Sequence, residues 1–197
     1  MAATREDNAL PVLIVGAGLS GLSLAALLAH KQVSFILFEA SSRHDQAQGY
    51  GITLRKWAYE PLIRALNEQD FETAVEAFKR SIAVDAPIDG VGRIEAGMVD
   101  AVSGEPLVPG MAIGDQGHIR ANRGRIRDWL IMKTGEQNLR FGAKVTAVRA
   151  DGDGIVVTLD GDEEVRCTGI IAADGVYSAG QTVKPSPCRP EKLIPFQ

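Results

Sequence analysis

The chain has 197 residues, of which 45% are hydrophobic, so it is long enough to bury a core and favours one domain or one and a half. Its formal net charge of −4 gives no electrostatic reason to expect a nucleic-acid partner. The two cysteines, Cys167 and Cys188, follow neither the spacing of metal ligands nor a disulfide framework, which indicates a reducing, cytoplasmic compartment.

One uncharged stretch, residues 10–29, has the length of a membrane span. Pro11 and three glycines interrupt it, and the preceding Arg-Glu-Asp at 5–7 lacks the basic character of a secretory signal. A buried parallel strand followed by a buried helix produces the same kind of apolar run. The sequence therefore predicts no membrane span.

The N-terminal elements follow a strand–helix–strand pattern. Residues 1–8 are polar and are predicted to be disordered. Val12–Val15 predicts an aliphatic strand, Leu19–His30 an Ala- and Leu-rich helix, and Val33–Glu39 a second, parallel strand. A strand, a glycine turn, a helix and a strand in such close succession indicate a βαβ unit.

The rest of the chain mixes helices with short strands. Residues 41–53 predict a polar loop, and short hairpin strands are expected between residues 81 and 117, away from the first sheet. The further predicted elements are helices at Trp57–Leu66, Phe71–Phe78 and Arg123–Met132 and strands at Lys144–Arg149, Ile155–Leu159, Val165–Cys167 and Ile170–Ala173, of which the last returns to the parallel sheet.

The turn between the first strand and the first helix is rich in glycine. Gly16 lets the chain turn sharply, Gly18 removes the side chain that would block a pyrophosphate, and Gly21 lets the helix pack closely on the sheet. The helix N-terminus then presents backbone N–H groups and the positive end of its dipole to a phosphate. A G-x-G-x-x-G string alone is weak evidence, but a strand before it and a helix after it are the context that indicates a dinucleotide site.

An acidic residue closes this unit. Glu39 lies 18 residues beyond Gly21, at the end of the second predicted strand. A carboxylate at this place can accept hydrogen bonds from both ribose hydroxyls of an adenosine, and it would repel a 2′-phosphate. NADP is therefore disfavoured at this site, but the glycine turn does not distinguish NAD from FAD.

Four further stretches resemble a known family. They are Gly49 with Gly51–Leu54, Ala121–Leu130, Gly142–Val145 and Ala172–Ser178. With these stretches in this order, residues 10–180 resemble the N-terminal, FAD-binding part of the class A flavoprotein monooxygenases, the para-hydroxybenzoate hydroxylase-like aromatic hydroxylases. The resemblance is closer to the fungal salicylate-hydroxylase-like and meroterpenoid-pathway members.

The resemblance implies a cofactor, a reaction and a fold. FAD, reduced by NAD(P)H, would hydroxylate or epoxidise an apolar small molecule, in secondary metabolism, and the cofactor would carry the chemistry. The implied fold is α/β: a Rossmann-like FAD-binding βαβ sheet with an antiparallel hairpin insertion and an incomplete β region on the substrate side. The FAD-binding domain would cover residues 9–180, with the substrate-side segment at about 81–117 and a Pro-rich tail over 181–197.

The resemblance also assigns roles to single residues. Arg123 would contact the FAD phosphate and ribityl region, the backbone of Val145 would meet the adenine, and Asp174 would support cofactor binding. No catalytic side chain is named. The full set of predicted cofactor-binding residues is Gly16, Ala17, Gly18, Leu19, Ser20, Gly21, Glu39, Ala40, Arg123, Val145 and Asp174.

The sequence lacks the residue patterns of two other enzyme classes and of a metal site. The chain has neither the Tyr-x-x-x-Lys pair of short-chain dehydrogenases nor the Gly-x-Ser-x-Gly elbow of serine hydrolases. Its three histidines have no partner at metal-ligand spacing, so we expect no metal site.

The sequence also departs from the family. The family has a second cofactor motif, a Gly-Asp pair, about a hundred residues beyond the Asp-Gly pair, and this chain ends at Gln197. The arginine that the family usually has just after the serine of the Ala172–Ser178 stretch is absent from Ala179-Gly180-Gln181. We therefore expect the N-terminal portion of a monooxygenase, with a possible partner chain supplying the other half. The alternative is a non-redox remnant that acts as a binding, partner or cyclase-like protein.

Overall fold

The computed structural model describes residues 10–43, 51–67, 70–82, 94–96, 100–105, 107, 111–113, 119–152 and 154–175. The predicted disordered N-terminus (1–8), most of the predicted hairpin region and the predicted tail (181–197) lie outside the described residues. The chain divides into two compact units, which are residues 1–46 with 131–197, and residues 47–130.

The described elements comprise strands and helices spread over both units. In chain order they are β1 (Val12–Val15), α1 (Leu19–His30), β2 (Phe35–Glu39), β3 (Gly51–Leu54), α2 (Lys56–Leu66), α3 (Phe71–Ile82), β4 (Ile94–Ala96), β5 (Met111–Ile113), β6 (Ile119–Asn122), α4 (Arg123–Thr134), a 3-10 turn (Glu136–Asn138), β7 (Leu139–Phe141), β8 (Val145–Asp151), β9 (Gly154–Leu159), β10 (Glu164–Cys167) and β11 (Gly169–Ala172).

The first unit is built on a parallel sheet with the strand order β11-β1-β2-β7. Val12 pairs with Phe35 of β2 on one side and with Gly169 of β11 on the other. Strand β11 comes more than 150 residues after β1 and still lies beside it, so the predicted return to the parallel sheet is confirmed. The predicted α/β class with a Rossmann-like sheet is confirmed as well.

Both faces of the parallel sheet are covered, as all-parallel sheets require. Helix α1 packs against β1 and β2. A three-stranded antiparallel sheet, β10-β9-β8, contributes to a buried core cluster that contains Leu13 and Phe38 of the parallel sheet together with Val145, Val157, Leu159 and Cys167. Each strand and helix around the glycine turn is therefore fixed by apolar packing.

The uncharged run near the N-terminus divides into a strand and a helix. Strand β1 takes four residues and α1 takes twelve, with the glycine turn between them. Among the described residues, no helix combines the length and the apolar character that crossing a bilayer needs.

The second unit contains the pairs β3–β6 and β4–β5, both antiparallel, together with α2, α3 and most of α4. Tyr59, Phe78 and Trp129 form an aromatic chain in this unit, with ring centroids 6.0 Å apart for the first pair and 4.7 Å apart for the second. The antiparallel β4–β5 pair agrees with the strands expected between residues 81 and 117.

Three strands differ from the sequence-based prediction. Gly51–Leu54, the end of the predicted loop, is a strand because it pairs with Ile119–Asn122, which was also not predicted as a strand. Strand β7 was missed as well, and it is a strand because it pairs with the end of β2. Strands of three or four residues are held by partners far away in sequence, so they leave little local signal.

The start of β2 is also later than predicted. The N–H of Val33 donates to the carbonyl oxygen of Leu28 at 2.9 Å, so this N–H is bonded to the last turn of α1 and not to a neighbouring strand. The strand begins at Phe35, the first side chain in the segment that is buried.

Candidate dinucleotide site

Two glycines of the turn between β1 and α1 are required by the protein's own packing. Gly16 has φ +104°, and a Cβ added to it would lie 2.6 Å from the carbonyl oxygen of Ala173. A Cβ added to Gly21 would lie 2.0 Å from the carbonyl oxygen of Gly16. These backbone approaches leave no room for a side chain at either position, as predicted for the turn and for the helix–sheet contact.

Gly18 has a different environment. Its φ of −71° and ψ of 176° are open to any residue. A Cβ added there would meet only the carbonyl oxygen of Ala173, at 3.9 Å. Among the described residues, neither the backbone conformation nor a packing contact requires glycine at this position.

The first turn of α1 borders the space in front of Gly18. Gly18 is the N-cap residue, and because it has no side chain it cannot cap the helix with one. Within the described part of the chain, the N–H groups of Leu19, Ser20 and Gly21 have no backbone acceptor. N–H groups at a helix N-terminus, together with the helix dipole, favour a bound anion.

The carboxylate of Glu39 is held by the backbone on two sides. Its Oε2 accepts a hydrogen bond from the N–H of Ala17 at 2.7 Å, and its Oε1 accepts one from the N–H of Ser41 at 2.9 Å. Sequence reasoning placed Glu39 at the end of β2 but missed these two contacts. Composition and residue spacing could not predict these two hydrogen bonds, because both use backbone donors and one of them joins separate elements.

The segment after β7 lies beside the end of β2. The N–H of Ala143 donates to the carbonyl oxygen of Glu39 at 2.9 Å, and the N–H of Gly142 donates to that of Ser41 at 3.0 Å. Val145, two residues later, is buried in the core cluster that also contains Phe38. The structure therefore brings the stretch of Val145 next to Glu39, while Ala40 is exposed.

Asp174 lies beside Gly16, at the start of the glycine turn. The N–H of Ala173 donates to the carbonyl oxygen of Val15 at 2.7 Å, which extends the β1–β11 pairing into the turn. The Cα of Asp174 would lie only 2.8 Å from a Cβ on Gly16. A cleft of about 520 Å³ opens here, lined by Ser20, Leu24 and residues 171–175.

Arg123 belongs to the second unit, where it begins α4. The side chain of Asn122 accepts a hydrogen bond from the N–H of Arg125 at 3.1 Å, which caps this helix. Arg127 is only 5% exposed, and sequence reasoning missed it. Its spacing of four from Arg123, which puts both on one helix face, was the available signal.

The first unit therefore brings together the glycine turn, Glu39, the stretch of Val145 and Asp174. A profile described as an NAD(P)-binding Rossmann-like domain matches residues 14–44 of this unit. The FAD-dependent monooxygenase nscC of Trichophyton equinum is 35% identical over 170 residues, which are 85% of this chain and 92% of that relative. The chain belongs to the FAD-dependent monooxygenases. The family resemblance seen in the sequence is confirmed.

Other relatives of this family are longer. The FAD-dependent monooxygenase adaC of Aspergillus niger is 34% identical over 170 residues, which cover 86% of this chain and 40% of that relative. The crystal structure of FqzB superposes with a TM-score of 0.67 at 25% identity and covers 88% of this chain and 38% of that one. The chain thus spans about two fifths of the length of these proteins.

Proposed function

We propose that this chain binds FAD and forms the cofactor-binding portion of a monooxygenase that hydroxylates or epoxidises an apolar small molecule. The environment of Gly18 carries the proposal, because neither its backbone angles nor any contact among the described residues requires a glycine there. The N–H groups at the start of α1 border the same space and suit a pyrophosphate.

The residues divide between two parts of the cofactor. Glu39, with Ala40 and the backbone of Val145 nearby, would hold the adenosine, and the carboxylate would accept the ribose hydroxyls. The turn from Gly16 to Gly21 would hold the pyrophosphate. Asp174 lies next to Gly16, where it would support the rest of the cofactor.

The family resemblance also predicts a phosphate contact for Arg123, which belongs to the second unit. An arginine makes charge-assisted hydrogen bonds with a phosphate, and these are stronger than hydrogen bonds between neutral groups. Arg123 and the buried Arg127 begin a helix that is positively charged at its N-terminal end. A helix whose own charges oppose its dipole there gains stability from an anion.

When bound, FAD supplies the redox chemistry, with NAD(P)H as the reductant, so the protein's part is to bind and orient it. The described residues of the first unit do this through backbone N–H groups and carboxylates. The substrate-side residues between about 81 and 117, the domain limits at 9 and 180, a partner chain supplying further residues and a cytoplasmic location are further parts of this proposal.

A titration of the purified chain with FAD tests the proposal, with FMN as the matched control. FMN carries the same isoalloxazine but lacks the adenosine that Glu39 and the glycine turn would hold. We expect quenching of flavin fluorescence and a shifted visible spectrum with FAD, at least about 100-fold weaker binding of FMN, and bleaching of the bound flavin by dithionite. Equal affinity for both flavins, or binding of neither, would contradict the proposed site.

Turnover separates the two remaining hypotheses. Consumption of NAD(P)H by the FAD-loaded chain supports an oxidoreductase. Tight FAD binding with no oxidation of NADH or NADPH supports the alternative, a non-redox remnant that binds or serves a partner.

A further inference from the structure

The glycine turn is tied to the end of β2 by a side chain rather than by its own backbone alone. Ala17 is the residue between the first two glycines, and it is fully buried. Its N–H points to Oε2 of Glu39 at 2.7 Å. A hydrogen bond from a backbone N–H to a carboxylate is charge-assisted and stronger than a bond between two neutral groups.

The other oxygen of the same carboxylate is fixed independently. Oε1 accepts from the N–H of Ser41 at 2.9 Å, so the two oxygens hold two segments that are 24 residues apart in sequence. The carbonyl oxygen of Glu39 is itself bonded to the N–H of Ala143 at 2.9 Å, which fixes the main chain at this point. The carboxylate therefore has a defined place before any ligand is present.

A carboxylate oxygen has more than one lone pair, so a bond to the backbone does not prevent it from accepting a ribose hydroxyl as well. A residue that only recognised ribose would need no contact with the turn. The Glu39 carboxylate, which would recognise the ribose, also holds the glycine turn, which would bind the pyrophosphate. The two halves of the site are thus joined by one side chain.

We propose that Glu39 is a positioning residue for the glycine turn, holding it in its binding shape through Ala17 before the cofactor arrives. The ligand test below rests on the proposed function, whereas the test on the cofactor-free protein does not. Pre-organising the loop lowers the ordering cost of binding, so its loss weakens affinity even for a ligand that never touches Glu39.

The first experiment is amide hydrogen exchange of the full chain without cofactor, resolved by residue with NMR. Glu39→Ala is expected to speed exchange of the Ala17 N–H about tenfold or more. The N–H of Thr168, which donates to Pro11 far from the turn, serves as the internal reference and is expected to keep its rate. Glu163→Ala is the matched control, because it truncates a glutamate in the same unit that pairs with Arg140 instead.

A second variant guards against a folding failure. Glu39→Gln keeps the size of the side chain but has one acceptor oxygen for two N–H donors, so it is expected to give a smaller acceleration, at Ala17, at Ser41 or at both. Unchanged exchange at Ala17 in both Glu39 variants would overturn the proposal.

The second experiment separates positioning from ribose recognition. ADP and 2′,3′-dideoxy-ADP are titrated into the wild type and Glu39→Ala, since the dideoxy nucleotide has no ribose hydroxyl to offer. Positioning predicts that Glu39→Ala weakens both nucleotides, by about tenfold for the dideoxy form. A loss confined to ADP would show that Glu39 acts on the ribose alone. If the wild type binds neither nucleotide, the proposed function fails, and the exchange experiment still decides whether Glu39 holds the turn.

Discussion

The glycine turn and the outer face of the three-stranded sheet belong to the same compact unit, yet they are held in different ways. At the turn, backbone approaches backbone so closely that Gly16 and Gly21 leave no space for a methyl group. On the outer face, half-exposed side chains form ion pairs, such as Arg149 with Glu164 at 2.9 Å and Arg166 with Asp151 at 3.1 Å.

The difference shows where this chain tolerates change. An exposed ion pair contributes little to stability because water and salt screen it. A backbone contact in the turn has no substitute, because any side chain there displaces the strand, the helix or both. Within the turn itself, Gly18 adds a third case, a position where the described residues leave space for a side chain. The following substitutions test these three cases in order of expected effect.

Gly21→Ala should destabilise the fold most. The new Cβ would lie 2.0 Å from the carbonyl oxygen of Gly16, so α1 must move away from the sheet. We expect a loss of about 3 kcal/mol in the free energy of unfolding, measured by urea denaturation followed by circular dichroism. Gly169→Ala is the control, because a Cβ on this glycine of β11 meets none of the described residues within 4 Å. Equal losses in the two variants would show that the close approach at Gly21 is not what holds the helix.

Gly18→Ala should separate binding from folding. Its backbone angles suit alanine and its added Cβ has space, so the free energy of unfolding should change by less than about 0.5 kcal/mol. The same methyl group fills the approach to the turn, so the Kd for FAD should rise at least about tenfold. Flavin fluorescence measures the Kd, and urea denaturation measures stability. Unaltered FAD affinity in a folded variant would remove Gly18 from the proposed site.

Glu163→Gln should have the smallest effect, and one that depends on pH. Arg140 donates to both carboxylate oxygens of Glu163, at 2.8 and 2.6 Å, and these bonds hold the pKa of Glu163 below its ordinary value of 4.5. A lowered pKa in the folded state means that the pair stabilises the fold above about pH 4.5 and loses this contribution as the pH falls through the lowered pKa.

The measurement is the difference in unfolding free energy between wild type and Glu163→Gln at pH 7 and at pH 3. We expect a small difference in favour of the wild type at pH 7 and a smaller one at pH 3. A difference that grows on acidification would have the wrong sign for a carboxyl whose pKa is lowered.

Much of the turn was predictable because its signals are local. The strand, the glycine turn and the helix follow one another within a short segment, and glycines stand where close backbone contacts exclude any side chain. The return of β11 to the sheet was also predictable, since a short apolar strand before Asp174 matched a family stretch. The roles of Ala40, Arg123, Val145 and Asp174 toward a cofactor stay predictions.

Other features could not be predicted from the sequence, because they depend on residues that are far away along the chain. Strand β3 has a glycine and a threonine among its four residues and is a strand only because β6 lies beside it. The sequence did not single out Arg127, and only packing places it in the interior. Arg43 pairs with Glu136, which is far away along the chain, at 2.7 Å.

The sequence by itself determined the βαβ unit, the family and the glycine positions. Each of these depends on a short run of neighbouring residues, and backbone sterics limits which residue types can stand there. Only the tertiary structure distinguished the three glycines, since their neighbours at Ala173 and Gly16 are brought there by folding. It also decided that Glu39 bonds to Ala17, across 22 residues of chain. Such a contact depends on two strands lying side by side, and pairing of parallel strands is a property of the folded sheet rather than of either segment.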